Sequence, residues 1–324
     1  MPFVKAKPEQ AAIKMSIYGP QGSGKTVTAL LFAEGIASLT GKRIAYIDTE
    51  RGTDFYAKSV PERKFHPHAF DFDALYTRSI AEMTRDCKSL NPEEHSVIVL
   101  DSISHVWDAA MDAYTGRRTK SDGIPMHAWG KIKKPYKSLI QWLVESPFHV
   151  FILGRQKNLF ETDDFDNMKK VGVSMRAEGE TAYEPHICLR MEADTVQTKG
   201  MATVSKHFAY VEKDRSGILQ GRVLTNPTFD EIRPIMGLLG DTQGRVDNED
   251  ERIAQDSELL DKQEKEKFEK SQKEFATLQA ELYQVKNNTE LAEMKKKLGK
   301  RKRYLVSEHV GALADAYRDV AGRF

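Results

Sequence analysis

The sequence predicts an α/β fold: a mostly parallel sheet between helices, an antiparallel hairpin at its end, and an all-helical charged extension after it. Three observations lead there. A glycine-rich phosphate-loop string stands between a strand-like and a helix-like stretch near the start of the chain. Short apolar runs then alternate with amphipathic stretches to about residue 155, the pattern of a parallel sheet covered on both faces. From residue 241 the composition shifts, with 35 of the 84 remaining residues charged, which marks a solvated extension rather than more of the sheet.

The string is Gly19-Pro20-Gln21-Gly22-Ser23-Gly24-Lys25-Thr26, a match to G-x-x-x-x-G-K-[ST]. Ile13 to Tyr18 before it suits a short strand, and Val27 to Leu39 after it suits an amphipathic helix. Glycines let the backbone curl until successive N–H groups face inward, and the helix that follows turns its positive end to a phosphate. In such a loop the lysine, Lys25, reaches the β- and γ-phosphates and the hydroxyl of Thr26 ligates Mg²⁺, so ATP and Mg²⁺ are the expected cofactors. Val27, in the first helical turn, completes the nucleotide-contacting stretch.

The next elements follow from apolar runs. Arg43 to Asp48 and Val97 to Leu100 suit buried parallel strands, and Phe148 to Leu153 suits another. Asp71 to Leu90 has helical spacing. Met126 to Glu145 is expected as a helix with Trp129, Ile132, Leu139, Trp142 and Leu143 on or near one face. Asn158 to Ala182 is polar, carries both signs of charge, and is expected as a long loop. His186 to Met191 and Ser205 to Val211 suit paired strands joined by a turn around Gly200, and the core is expected to close near Leu239.

Two strand ends carry chemistry. The second strand runs into Asp48-Thr49-Glu50-Arg51-Gly52, and a carboxylate at the mouth of a parallel strand beside a phosphate loop sits where water attacks the γ-phosphate. Glu50 is the expected water-orienting base. The third strand ends Val99-Leu100-Asp101-Ser102, an apolar run closed by an aspartate, which suits Asp101 to the Mg²⁺ water shell.

This order of motifs resembles the RecA/RadA core: phosphate loop, strand ending D-T-E, strand ending L-D-S, and a further strand ending in a polar sensor. The I-D-T-E-R-G stretch, H-A-W-G-K-I-K-K-P at 127–135 and a strand ending G-R are similar to RecA-like ATPases of bacteriophages linked to single-strand annealing and recombination. The resemblance spans roughly residues 10–240. It implies that Glu50 is catalytic, that Ser102 follows the metal-binding aspartate, and that the sensor falls on Gly154-Arg155-Gln156, with Arg155 at the reacting phosphate. Tyr210-Val211-Glu212-Lys213-Asp214-Arg215-Ser216-Gly217 is similar to the strand-then-K-x-R-x-G element of RadA-like and hexameric helicase proteins. That likeness implies that Lys213 and Arg215 reach a nucleotide held by the neighbouring subunit of a ring or filament. It also implies that two segments contact single-stranded DNA: Thr115–Trp129, with Arg117, Arg118 and Lys120, and Asn158–Ala182, with Lys169, Lys170 and Arg176. Asp163, Asp164 and Asp166 weaken the second of these.

The whole chain excludes some classes. A net charge of +1 over 324 residues predicts no bulk attraction to polyanions, so any nucleic-acid surface is local. Cys87 and Cys188 form no metal pattern, and His66, His68, His95, His105, His127 and His149 do not cluster at ligand spacing. Trp107, Trp129 and Trp142 suit helix packing. No apolar stretch is long enough for a membrane span, and MPFVKAKPEQ lacks a signal-peptide core, so a cytoplasmic protein with no membrane partner is expected, in the bacterial host if phage-encoded. The division expected is an ATPase core over 1–240, a charged linker helix over 241–286 and a small helical hairpin over 287–324. Glu249 to Lys286 is expected as the linker helix, with an apolar stripe of Phe268, Phe275, Leu278, Leu282 and Val285 in its second half only. Asn287-Asn288-Thr289 caps the next helix, and Lys295 to Arg303 holds seven bases and no acid. Two functions follow: an oligomeric ATPase that acts on single-stranded DNA, or a nucleotide-gated assembly factor whose protein partner binds the C-terminal helices. A small-molecule kinase fits poorly, for nothing resembles an acceptor lid.

Overall fold

The computed structural model describes residues 12–63, 65–115, 124, 126–162, 168–179, 181–197, 203–239 and 249–323. The chain forms two compact units, Met1–Arg245 and Val246–Phe324. The first is built from β1 (Lys14–Gly19), α1 (Lys25–Thr40), β2 (Arg43–Asp48), β3 (Asp73–Leu75), α2 (Ile80–Lys88), β4 (His95–Asp101), α3 (Ile103–Thr115) and α4 (Met126–Glu145). It continues with β5 (His149–Thr162), β6 (Met168–Met175), β7 (Ile187–Gln197), β8 (Thr203–Asp214), β9 (Val223–Thr225) and α5 (Phe229–Met236).

The strands form one sheet in the order β3-β2-β4-β5-β1-β7-β8-β9, with β6 paired to β5 alone. Pairs from β3 to β7 are parallel; β7–β8, β8–β9 and β5–β6 are antiparallel. Side chains alternate across the sheet, so the buried runs feed two cores. Met15, Ile17 and Phe151 pack under Leu30, Phe32 and Ile36 of α1 and Ile232 of α5. Ile98, Leu100 and Ile152 pack on the opposite face under Val106 of α3 and Leu139 and Leu143 of α4. This is the α/β phosphate-loop fold the alternation predicts, and Trp107 and Trp129 stack in the second core as expected of packing residues. Cys87 and Cys188 are buried free thiols. Among the described residues no helix is long and apolar enough to cross a membrane.

Lys14 is a buried lysine within these runs, 1% exposed and without an ion pair among the described residues. Its Nζ donates to the carbonyl oxygens of Leu143 (3.1 Å), Ser146 (2.7 Å) and Phe148 (2.5 Å). The amine thus caps the end of α4, where helix carbonyls lack partners and carry partial negative charge. Burial pushes Lys14 down to about 7, and the oxygen cage works the other way. Beside it, the Ile13 N–H donates to His149 Nδ1 at 3.0 Å, which requires an unprotonated nitrogen. Burial, and then the charge of Lys14, pushes His149 down to about 4. A free histidine titrates near 6.5. The folded value is depressed, so the stabilisation is present above pH 6.5 and is lost as pH falls through about 4, with a total of about 3 kcal/mol. Urea midpoints should therefore drop between pH 6.5 and 4. His149→Asn, which keeps an acceptor near the Nδ1 position, should flatten that part of the profile; an unchanged profile would remove His149 as its source.

Two sequence expectations are corrected. Asp71 to Leu90 is not one helix: Asp73–Leu75 pairs with β2 as an edge strand, and α2 begins only after Ser79, whose hydroxyl accepts the Glu82 N–H. Thr77 and Ser79 compete for backbone N–H groups and stop the helix there. Asn158 to Ala182 is not a long loop, for β5 runs on to Thr162 and pairs with β6 in a two-stranded ribbon. The ribbon is exposed on both sides, so its strands lack the apolar alternation that would reveal them. Arg117, Arg118, Lys120, Asp163, Asp164, Asp166 and the turn at Gly200 lie outside the described residues.

The second unit holds α6 (Glu249–Tyr283), α7 (Asn288–Arg301) and α8 (Ser307–Ala321). Asn287 caps α7 by accepting the Glu290 N–H at 2.9 Å. Leu278 and Leu282 of α6 pack with Leu291, Met294, Leu313 and Val320, with Phe275 and Val285 at the margin. The second half of α6 thus shares one core with the hairpin expected over 287–324. The Val306 N–H donates to Ser271 Oγ, which also shares a hydrogen bond of 2.6 Å with His309 Nδ1.

Candidate active site

The phosphate loop leaves β1 at Gly19 and enters α1 at Lys25. A Cβ on Gly19 would lie 2.2 Å from the Met191 carbonyl oxygen, so no side chain fits where the loop crosses β7. Gly24 has φ +90°, and a Cβ there would meet the His207 ring at 2.9 Å. Ser23 is buried and its hydroxyl donates to the Pro20 carbonyl at 2.8 Å, fixing the turn, while Gln21 and Gly22 face solvent. Val27 is half-buried in the first turn of α1. Lys25 Nζ donates to the carbonyls of Gly19 (3.1 Å) and Pro20 (2.7 Å). Burial pushes Lys25 down, and the charges of Asp101 and Glu50 oppose that shift. Both carboxylates therefore lie within electrostatic reach of its amine.

α1, β4 and β2 bring three groups together. Thr26 Oγ1 donates to Asp101 Oδ2 at 2.6 Å, and the Tyr46 hydroxyl donates to the same oxygen at 2.8 Å. Burial raises the Asp101 carboxyl, and the two hydroxyl donors pull it down. A hydroxyl and a carboxylate oxygen this close form a hard-oxygen pair suited to Mg²⁺ beside a cradle no larger side chain could enter, so the residues fit a Mg²⁺–nucleotide. Tyr46 gives no sign in the sequence, because a tyrosine in a buried strand has the pattern of a core residue.

Asp48 and Glu50 have separate work. The Asp48 carboxylate accepts the N–H groups of Glu50 (2.8 Å), Arg51 (2.6 Å) and Thr53 (3.1 Å), and the Thr53 hydroxyl at 2.5 Å. These bonds hold Arg51 at φ +57°, a conformation that a non-glycine residue adopts at a cost of about 1–3 kcal/mol. Glu50 is thereby turned toward β4 and β5. Its Oε1 accepts from Arg155 Nη2 (3.0 Å), Arg155 Nε (3.2 Å) and Ser102 Oγ (3.2 Å), with His105 Nδ1 at 3.5 Å. His105 also lies 3.1 Å from Thr49 Oγ1, and burial pushes its pKa down. The spacing of the histidines in the sequence gave His105 no role; it reaches Glu50 because α3 starts directly after β4. Glu50 and Arg155 are each more than a third exposed, so their pairing is worth about 1 kcal/mol or less and exchanges readily for other partners.

The remaining site residues lie apart. Lys213 pairs with Cys188, and the Arg215 N–H donates to the His186 carbonyl, whose own N–H donates to the Lys14 carbonyl. Arg215 is thus level with the start of β1, five residues or about 17 Å of strand from Gly19, and Lys213 is level with Ser16, three residues or about 10 Å from it. Lys213 Nζ donates to the carbonyls of Tyr183 and Pro185, and Arg215 is exposed. Lys169 and Lys170 are exposed on β6, whereas Arg176 is tied to Asp108 of α3 at 3.0 Å. Among the described residues no group of three or more His, Cys, Asp or Glu is placed to hold a metal on its own.

The sequence profile of the AAA domain family matches residues 11–216, more than half of the chain. A comparison with curated proteins finds no match. Among solved structures, a KaiC-like protein from the hyperthermophilic archaeon Pyrococcus horikoshii is similar at a TM-score of 0.41 and 15% identity, covering 67% of this chain and 90% of that one.

Proposed function

Because the chain belongs to the AAA domain family of phosphate-loop ATPases, we propose that it is an oligomeric, Mg²⁺-dependent ATPase acting on single-stranded DNA in phage-type annealing or recombination. The loop from Gly19 to Thr26 binds the phosphates, and Thr26 with Asp101 holds Mg²⁺, which when bound supplies charge against the β- and γ-phosphate oxygens. Glu50 orients the attacking water once it is released from Arg155, and Arg155 is then free to face the γ-phosphate.

One observation carries this reading: Arg215 lies at the end of the sheet away from its own phosphate loop, with Lys213 two residues before it on the same strand. An arginine side chain cannot span that distance to its own nucleotide, which supports a role for Arg215, with Lys213, toward the nucleotide of an adjoining copy in a head-to-tail ring or filament. The DNA assignment is supported by the β5–β6 ribbon. It begins at Arg155, the partner of Glu50, and exposes Phe160 and Met168 beside Lys169 and Lys170. An aromatic and several cations on one ribbon suit base stacking and phosphate contact without sequence readout.

The test is a salt titration of binding to a labelled single-stranded oligonucleotide, with and without a slowly hydrolysed ATP analogue. Affinity should rise with the analogue and fall steeply with salt, and Lys169→Ala/Lys170→Ala should reduce the log–log slope by about 1.4. No binding at low salt in either condition would end the DNA reading and favour an assembly factor with a protein partner.

A further inference from the structure

The second unit carries a groove between α7 and α8, a cavity of about 370 Å³. Its floor is apolar, with Leu298, Val310, Ala314 and Tyr317, and its rim is cationic, with Lys295, Lys302 and Arg318. None of its lining residues is acidic. Arg318 is paired with Asp315, whereas Lys295 and Lys302 have no ion pair among the described residues. An apolar floor disfavours a nucleic-acid backbone, which needs water or cations along its whole length. It suits a helix that has an apolar stripe and acidic flanks.

The chain contains such a helix at the beginning of α6. Glu249 to Asp261 holds six carboxylates and one arginine, and Ile253 and Leu260 are seven residues apart, on one face. Within its own unit this stretch cannot reach the groove. α6 is continuous to Tyr283, and the first buried residue among its described side chains is Ser271, ten residues or about 15 Å beyond Asp261 along the axis. A continuous helix does not fold back across its own bundle.

We propose that the α7–α8 groove receives the acidic beginning of α6 from a second copy of the chain. Ile253 and Leu260 enter the apolar floor, and the flanking carboxylates meet Lys295 and Lys302. This contact is separate from the one Lys213 and Arg215 make, and it stands whether or not the chain acts on DNA.

The test uses the full chain carrying Ser257→Cys, on the Ile253–Leu260 face, and Ala314→Cys, in the groove, treated with a short bis-maleimide. Cys87 and Cys188 are buried and should react slowly. An interchain product of doubled mass is expected. Adding Lys295→Glu/Lys302→Glu should abolish it, and adding Glu249→Lys/Asp256→Lys to that chain should bring it back. Lys295, Lys302 and Ala314 are exposed, and none of the substituted residues belongs to the core formed by Leu278, Leu282 and Leu291. No interchain product, or one indifferent to the charge reversals, overturns the proposal. So does a reversal that weakens oligonucleotide binding while the crosslink persists, for the rim would then be a nucleic-acid contact. The concentration dependence of ATP turnover in the same variants reports the other contact separately.

Discussion

Glu50→Gln should keep nucleotide affinity and lose turnover by about 10²–10⁴-fold. The amide is close to isosteric with the carboxylate, so the Arg155 and Ser102 donors around Oε1 still find an acceptor there. What goes is the negative charge that aligns water and takes up its proton. The phosphate contacts are made elsewhere, by the loop backbone, Lys25 and the Thr26–Asp101 pair, so binding of a fluorescent ATP analogue should change by less than a few-fold. Lys25→Ala should differ, losing affinity and turnover together. Asp48→Asn makes the sharpest control. Asp48 lies two residues from Glu50 and accepts four bonds that shape the loop, so its loss should lower stability and turnover in parallel. If Glu50→Gln turned over ATP at the parent rate, Glu50 would have no part in orienting water.

The parts of this site that were legible in the sequence are those where a local string dictates geometry. The phosphate loop needs glycines at fixed places, and an apolar run ending in aspartate puts Asp101 at the rim of the sheet next to Thr26. Long-range partners left no local trace. Tyr46 reaches Asp101 because β2 and β4 are neighbours, and His105 reaches Glu50 because α3 begins at the end of β4. Lys14 lies in a run otherwise suited to a buried strand, and only the arrival of the end of α4 above it gives its amine partners. The ribbon from Arg155 outward stayed hidden for the opposite reason. Exposed on both faces, it is under no pressure to alternate, and its mixed charges look like a loop. In the second unit the apolar stripe with Leu278 and Leu282 was legible, but not that it closes on the hairpin over 287–324, where seven buried apolar side chains suffice to pack three helices when the other faces are solvated.

Arg215→Ala should lower turnover by about 10³-fold or more, the loss expected when a cation that offsets transition-state charge is removed, while leaving each chain's own nucleotide affinity nearly unchanged. Arg215 is too far from its own loop to act there, so the decisive experiment mixes two inactive proteins. A chain with Arg215→Ala keeps an intact Glu50 and phosphate loop; a chain with Glu50→Gln keeps an intact Lys213 and Arg215. In a head-to-tail assembly some interfaces join the good loop of the first to the good cation of the second, and random mixing at equal amounts makes roughly a quarter of interfaces competent. Turnover should therefore reappear on mixing, rise as the mixture equilibrates, and vanish on dilution below the assembly threshold. If the cation worked within its own chain, every chain in the mixture would still lack one essential group and no activity would return. Lys213→Ala in place of Arg215→Ala extends the test. Its amine is held by the Tyr183 and Pro185 carbonyls, so it must leave them to reach a neighbouring phosphate, and the segment around Tyr183 should gain amide exchange when ATP analogue and a second copy are both present.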